Sequence, residues 1–138
     1  MKTSKVILSL AFAFAVILCN AQSQKATVNT GNSGKIEAYY FHFSSRCVTC
    51  KTVESEAKLN IETLYPEQVK NGLITFQAFN LDDNSSKEIA EKLKVSGQSL
   101  LIVKGDQKFN ITNDGFLYAR SNPEKFRAVI KERIDSLL

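Results

Sequence analysis

The sequence has little excess charge of either sign, which limits the kinds of partner that the protein can bind. It contains 18 basic and 14 acidic residues, for a formal charge of +4. Without residues 1–21, which carry Lys2 and Lys5, the balance becomes 18 − 2 = 16 basic against 14 acidic residues, a charge of +2. Nucleic-acid-binding domains usually carry a concentrated positive surface. This composition therefore argues against a nucleic-acid partner.

The N-terminal apolar run is too short to cross a membrane. It extends only from Val6 to Leu18, whereas a membrane-spanning helix needs roughly 20 apolar residues. The run follows Lys2 and Lys5 and ends at Cys19-Asn20-Ala21, a pattern typical of a cleaved secretory signal peptide. We therefore expect residues 1–21 to be a signal peptide. The mature protein would be exported to the periplasm or cell envelope, with no stable membrane insertion after cleavage.

Cysteine is scarce, and its positions restrict the redox chemistry to one motif. Cys19 allows an alternative in which it is the acylated first residue of a bacterial lipoprotein, although bulky Leu18 is unfavourable before such a cysteine. Cleavage after Ala21 would remove Cys19 and leave Cys47 and Cys50 as the only thiols. Any redox chemistry of the mature chain would then use this pair.

The rest of the chain divides into a leader and one domain. Residues 22–34 are polar, lack periodicity and include Thr-Gly-Asn-Ser-Gly, which indicates a flexible leader. Residues 35–138 are enough for one domain with a useful core, and they show no internal repeat.

Apolar periodicity in residues 35–138 alternates between the strand and helix patterns. Strands are predicted over 35–43, 73–80, 99–103 and 107–112. A helix after the cysteines would bury Val53, Ala57, Ile61 and Leu64 and end near Pro66. A second helix would be capped by Ser85 or Ser86, and the last would begin at a capping box, Ser121-Asn122-Pro123-Glu124. In 113–120, Asp114-Gly115 favours a turn, with a short helical turn over 116–119 as the alternative.

This order of elements predicts an α/β sandwich. Strands that alternate with helices imply parallel pairing through crossovers, and the closing hairpin adds one antiparallel edge. We expect three layers, with flanking helices on a central mixed sheet of about four to five strands.

The order of elements, with Cys47-Val48-Thr49-Cys50 between the first core strand and its helix, resembles the thioredoxin fold. The resemblance covers roughly residues 35–138. More narrowly, "YYFH" followed by "RCVTCK" is similar to a group of small exported thioredoxin-like proteins labelled as nitroreductase-associated. The resemblance implies that Cys47 and Cys50 are the redox centre.

The spacing of the two cysteines suits redox exchange. At the first turn of a helix, a Cys47 thiolate would face free backbone N–H groups and the positive end of the helix dipole, so Cys47 is the candidate nucleophile. Cys50 would resolve the mixed disulfide. A static disulfide is the alternative, but such a short loop gains little stability. A metal site that includes His42, the only histidine, is another.

Three neighbouring positions complete the predicted site. Arg46 precedes Cys47, and its positive charge would favour the thiolate. Gln98 and Ser99 match the segment that meets the substrate in thioredoxins, where Ser99 replaces a cis-proline. We expect a trans peptide bond before Ser99, because a cis bond there would cost about 2.5–4 kcal/mol. The buried acid of many thioredoxins is also missing, since Glu37 is the only acidic residue of the first strand.

The predicted function is that of an exported thiol–disulfide oxidoreductase, a monomer that exchanges disulfides with a protein partner and needs no cofactor. One alternative is a copper chaperone that binds the metal through the two thiolates and His42. Another is an accessory redox subunit of a reductase.

Overall fold

The computed structural model describes residues 34–138. The predicted signal peptide, Cys19 and all but the last residue of the predicted leader lie outside this range. Within it, the strands are β1 (Ile36–His42), β2 (Ile74–Asn80), β3 (Ser99–Lys104) and β4 (Gln107–Asn110). The helices are α1 (Val48–Leu64), α2 (Pro66–Lys70), α3 (Lys87–Lys92), α4 (Thr112–Tyr118) and α5 (Pro123–Asp135), and a 3₁₀ turn, Asn84–Ser86, precedes α3.

The four strands form one mixed sheet in the order β2-β1-β3-β4. β1 pairs in parallel with β2, and β3 is antiparallel to both β1 and β4. The prediction of an α/β fold with a mixed sheet of four to five strands is therefore confirmed. β1 is a central strand of the sheet, and the short loop after its last residue leads to the cysteine pair.

The direction of β3 differs from the parallel pairing that the alternation of elements predicts. β2 ends level with His42, and β3 starts level with Phe41, so the connection begins and ends at the same end of the sheet. α3 has six residues, about 9 Å at 1.5 Å per residue. That length is well short of the roughly 23 Å that a seven-residue strand such as β1 spans. The chain therefore enters β3 without a crossover and runs antiparallel to β1.

Helices cover both faces of the sheet, which gives the predicted three layers. Alternation along β1 directs Ile36, Ala38 and Tyr40 into the core shared with α1 and α5. Tyr39 and Phe41 point to the other face, which α3 covers. The larger core includes fully buried apolar side chains from both helices, among them Val53, Ile61, Phe126, Ile130 and Ile134. Each such side chain contributes about 1.5–3 kcal/mol when it is removed from water.

Local signals predicted α1, α3 and α5, but they did not predict α2, and two of the predicted helix caps do not form. α1 ends at Leu64, as Pro66 predicts, and the same proline begins α2. Ser86 precedes α3 without a side-chain capping bond. The last helix is capped by the Asn122 side chain, which accepts a hydrogen bond from the Lys125 backbone N–H, so the predicted capping box does not form.

Helix α4 replaces the turn predicted at Asp114-Gly115. Gly115 lies inside this helix, and a Cβ atom at that position would lie 2.9 Å from Cγ1 of Val53 in α1. The glycine therefore permits the close approach of two helices. In residues 34–138, no helix combines the length and the apolar character needed to pass through a bilayer.

Candidate functional site

The cysteine pair lies at the N-terminus of α1, immediately after the loop that leaves β1. Cys47 is the N-cap residue, with an extended backbone (φ −74°, ψ 167°). Its Sγ accepts a hydrogen bond of 3.3 Å from the backbone N–H of Cys50. The sulfur thus partly satisfies the free N–H groups that begin a helix, and the positive end of the helix dipole lies beside it.

Cys47 and Cys50 form a disulfide whose Cα atoms are 5.2 Å apart, within the usual range for this bond. The two cysteines differ in exposure: Cys47 is solvent-exposed, whereas Cys50 is only 5% exposed. An incoming thiolate can therefore reach Cys47 more easily than Cys50. An α/β fold that carries this disulfide at the start of a helix supports a redox-type function for the pair.

Arg46 is not a free positive charge beside Cys47. Its guanidinium forms an ion pair with Glu54, which lies one turn beyond Cys50 on α1, and both side chains are about one quarter exposed. The nearby carboxylate offsets part of the field that Arg46 would exert on a Cys47 thiolate. The predicted role of Arg46 therefore stays a prediction, and Glu54 must be considered together with it.

Two hydrogen bonds join the loop between β1 and α1 to the last residue of β2 and to the turn that follows it. The Ser44 backbone N–H donates to Oδ2 of Asp82 at 2.7 Å, and the Asn80 side-chain amide donates to the Ser44 hydroxyl at 2.9 Å. The backbone hydrogen bond from Ser44 lowers the pKa of Asp82. These bonds fix the path by which the chain reaches Cys47.

His42 is partly buried at the end of β1, with its ring Nδ1 3.0 Å from the Phe43 carbonyl oxygen. Within residues 34–138, no three His, Cys, Asp or Glu side chains come together as a possible metal site.

Ser99 and Gln98 lie where β3 begins, and the two side chains have different contacts. Ser99 is paired with Phe41 of β1, and its hydroxyl donates to the Gly97 carbonyl at 2.9 Å. The Gln98 amide Nε2 donates to the hydroxyl of Tyr40 at 3.2 Å. Peptide bonds in the described residues are all trans, as expected before Ser99.

Tyr40 is a site residue that the sequence analysis did not identify. Its hydroxyl donates to the Cys50 carbonyl oxygen at 2.8 Å, and the side chain is fully buried. Burial raises the pKa of Tyr40 above its ordinary value, so the phenol stays protonated and able to donate. The alternation of β1 was a usable signal, because it places Tyr40 on the face that packs against α1. Glu37 lies near the N-terminal end of β1, whereas the cysteine pair follows the C-terminal end of this strand.

Apolar surface is exposed close to the cysteines in sequence. Phe43 is 41% exposed and Val48 is 67% exposed. Phe43, Leu81, Ala90 and Val95 contribute to a cleft of about 240 Å³ between the β1–α1 loop and α3. The same cleft is also lined by Ser86, Lys87, Glu91 and Ser96, so its wall combines apolar and polar side chains.

Comparisons with known proteins found similarity only at the level of structure. No family model matches the chain, and no curated protein matches it. A solved structure described as that of a malarial protein is 18% identical, with a TM-score of 0.47, and the match covers 71% of this chain and 96% of that one. Thioredoxin from Fasciola hepatica is 21% identical, with a TM-score of 0.42 and coverage of 73% and 83%. The predicted similarity to thioredoxins is thus found among solved structures, and the narrower similarity to nitroreductase-associated proteins is not supported.

Proposed function

We propose that this protein exchanges disulfides with a protein partner through Cys47 and Cys50. The observation that carries the proposal is the unequal exposure of two bonded cysteines at the start of a helix: Cys47 is exposed and Cys50 is buried. A purely structural disulfide does not need an exposed sulfur. For disulfide exchange the N-cap position is favourable. The sulfur that attacks or leaves is a thiolate, and the positive end of the helix dipole stabilises this negative charge.

The exchange proceeds in two steps from the reduced protein. The Cys47 thiolate attacks one sulfur of the partner's disulfide, which forms a bond from Cys47 to the partner and releases the other partner sulfur as a thiolate. Cys50 then loses its proton and attacks Cys47 Sγ, which forms the intramolecular disulfide and releases the second partner sulfur. The dithiol loses two electrons and two protons, and the partner gains them. The reverse sequence oxidises a partner dithiol.

The surface around the pair supports a polypeptide as the partner. Ser99 begins β3 beside the end of β1, and Gln98 directly precedes it; we assign both residues to contact with the partner chain. Exposed Phe43 and Val48 would bury apolar side chains of the partner. Arg46, with Glu54, would adjust the thiolate population of Cys47.

We also place the function in the cell envelope, on the basis of the signal-peptide pattern of residues 1–21. A disulfide between Cys47 and Cys50 suits an oxidising compartment. Cell fractionation and N-terminal sequencing of the mature chain test this proposal. A mature protein that begins at Gln22 is expected, whereas an acylated Cys19 would establish the lipoprotein alternative.

The exchange reaction is tested by trapping its intermediate. In Cys50→Ser, the Cys47 thiolate can form a mixed disulfide but cannot be resolved by its neighbour, so adducts with oxidised glutathione and with protein disulfides should accumulate. Cys47→Ser is the matched control, and it should form at least tenfold less adduct because Cys50 is buried, which limits access of the incoming disulfide. Peptide mapping identifies the modified cysteine. Equal or preferential modification through Cys50 would contradict the assignment of Cys47 as the nucleophile.

A further inference from the structure

Three separate segments of the chain are joined by hydrogen bonds that end at the backbone carbonyl of Cys50, one of the two disulfide residues. Gln98, in the loop before β3, donates from Nε2 to the Tyr40 hydroxyl at 3.2 Å. Tyr40, in the central strand, donates to the Cys50 carbonyl oxygen at 2.8 Å. The loop that we assign to partner contact is therefore connected through one side chain to the residue that bears the inner sulfur.

Tyr40 is held more firmly than either of its partners. Its side chain is fully buried, and its strand pairs on both sides, with Ala78 of β2 and Leu100 of β3. Gln98 is partly exposed, and Cys50 lies in the first turn of α1. Any movement that changes the chain of hydrogen bonds must therefore occur mainly at the loop or at the first turn of the helix.

Reduction of the disulfide causes a movement of the first turn of α1. When two electrons from a pair of reducing thiols break the Cys47–Cys50 bond, the two sulfurs separate from bonding distance to van der Waals distance; Cys50 takes up a proton, and Cys47 is released as a thiolate. The backbone of the first turn must accommodate the separation, and the Cys50 carbonyl belongs to the same residue as one of the sulfurs. The structure contains the disulfide, so the hydrogen bond from Tyr40 to the Cys50 carbonyl belongs to the disulfide form.

We propose that Tyr40 is a positioning residue: its hydrogen bond to the Cys50 carbonyl favours the disulfide over the dithiol, and Gln98 strengthens that bond. The second hydrogen bond polarises the phenol, because an O–H group that accepts a hydrogen bond becomes a better donor. A partner that draws Gln98 away would weaken the bond to Cys50 and make the disulfide easier to reduce. This inference rests on the proposed redox function, and it adds a link between partner contact and the thiol–disulfide equilibrium.

The test measures the equilibrium with glutathione in wild type, Tyr40→Phe, Gln98→Leu and the double variant. Two glutathione thiols reduce the bond and leave as one glutathione disulfide, so the ratio of protein dithiol to disulfide, multiplied by the concentration of glutathione disulfide and divided by the square of the thiol concentration, gives the equilibrium constant. Thiol alkylation followed by mass measurement reports this ratio. Tyr40→Phe should shift the equilibrium about fivefold toward the dithiol, as expected for one net hydrogen bond.

Gln98→Leu should shift the equilibrium in the same direction, by about twofold, in the wild-type background and not in Tyr40→Phe. An equilibrium constant that stays at the wild-type value in a folded Tyr40→Phe protein would overturn the proposal, even if the variant is less stable. Equal effects of Gln98→Leu in the two backgrounds would overturn the role of Gln98. If Tyr40→Phe does not fold, the shift in Gln98→Leu alone decides, because Gln98 is partly exposed and outside the core.

Tyr65→Phe is the matched control for a general loss of stability. Tyr65 is also buried, and its hydroxyl donates to Oδ1 of Asp135 at 2.7 Å in a part of the core formed with α5. Its removal should lower the free energy of unfolding and leave the glutathione equilibrium unchanged. A shift equal to that of Tyr40→Phe would show that any core tyrosine has this effect and would overturn the proposal. The measurement needs no protein partner, so it stays informative even if the proposed exchange with proteins fails.

Discussion

Replacement of Gly115 by alanine probes how closely α4 must approach the helix that carries the cysteines. The added Cβ atom would lie 2.9 Å from Val53 Cγ1 and 3.5 Å from two ring atoms of Phe126. Val53 and Phe126 are fully buried, so neither can move into solvent. Overpacking of this kind costs about 1–3 kcal/mol.

The position of Gly115 inside a helix favours alanine and so opposes the destabilisation caused by the clash. Glycine inside a helix is about 1 kcal/mol less favourable than alanine, and this gain offsets part of the clash. The expected net result for Gly115→Ala is therefore a loss of roughly 0–2 kcal/mol in the free energy of unfolding. The partial cancellation means that the single variant alone does not distinguish the two effects.

A second substitution, at Val53, separates the cost of the clash from the gain in helix propensity. Val53→Ala removes the methyl group that the new Cβ would meet and by itself costs about 2 kcal/mol. In that background, Gly115→Ala should stabilise the protein by about 1 kcal/mol, because only the gain in helix propensity remains. The two substitutions should thus show a favourable coupling of about 1–3 kcal/mol.

Urea unfolding of the oxidised proteins measures each free energy. Gly97→Ala is the control, since a Cβ at Gly97 meets no atom within 4 Å, and its effect should stay within about 0.5 kcal/mol. The reasoning fails if Gly115→Ala is equally stabilising in the wild-type and Val53→Ala backgrounds. That result would mean that α4 does not approach α1 as closely as the structure shows.

Two further predictions concern backbone strain and pH. Lys94 follows α3 with a φ of +55°, so Lys94→Gly should raise the free energy of unfolding by about 0.5–1 kcal/mol. Lys92→Gly, at the last residue of α3, should lower it by up to about 1 kcal/mol. A loss of stability in both variants would contradict the strain at Lys94. Hydrogen bonds from Lys131 and then Tyr65 lower the pKa of Asp135, so the stability that this carboxylate contributes is complete above its unfolded pKa of about 3.9 and is lost as pH falls through the lower folded value. Urea unfolding between about pH 6 and pH 2 should therefore show a steeper acid loss in wild type than in Asp135→Asn, and parallel curves would refute this.

The sequence alone predicted all four strands, the helices α1, α3 and α5, and the position of the cysteine pair between β1 and α1. Apolar residues, nearly continuous in β1 and β3 and alternating in β2 and β4, identified all four strands to within two residues at each end, because a strand buried on both faces is apolar throughout and a half-buried strand alternates with a period of two. The 3.6-residue stripe identified α1 and α5 for the same reason. The cysteine spacing and its place between β1 and α1 were readable because both are local properties of the chain.

Only the tertiary structure decided which groups meet around the disulfide. The direction of β3 depends on where β2 ends in space, and local periodicity carries no such information. The ion pair of Arg46 with Glu54 and the hydrogen bonds that join Gln98, Tyr40 and Cys50 link residues that are 8 to 58 positions apart. Contacts of this kind form when the helix docks on the sheet, and their physical cause is the packing of whole elements. The sequence therefore indicated that Cys47 and Cys50 form the redox centre, and the fold determined which side chains surround it.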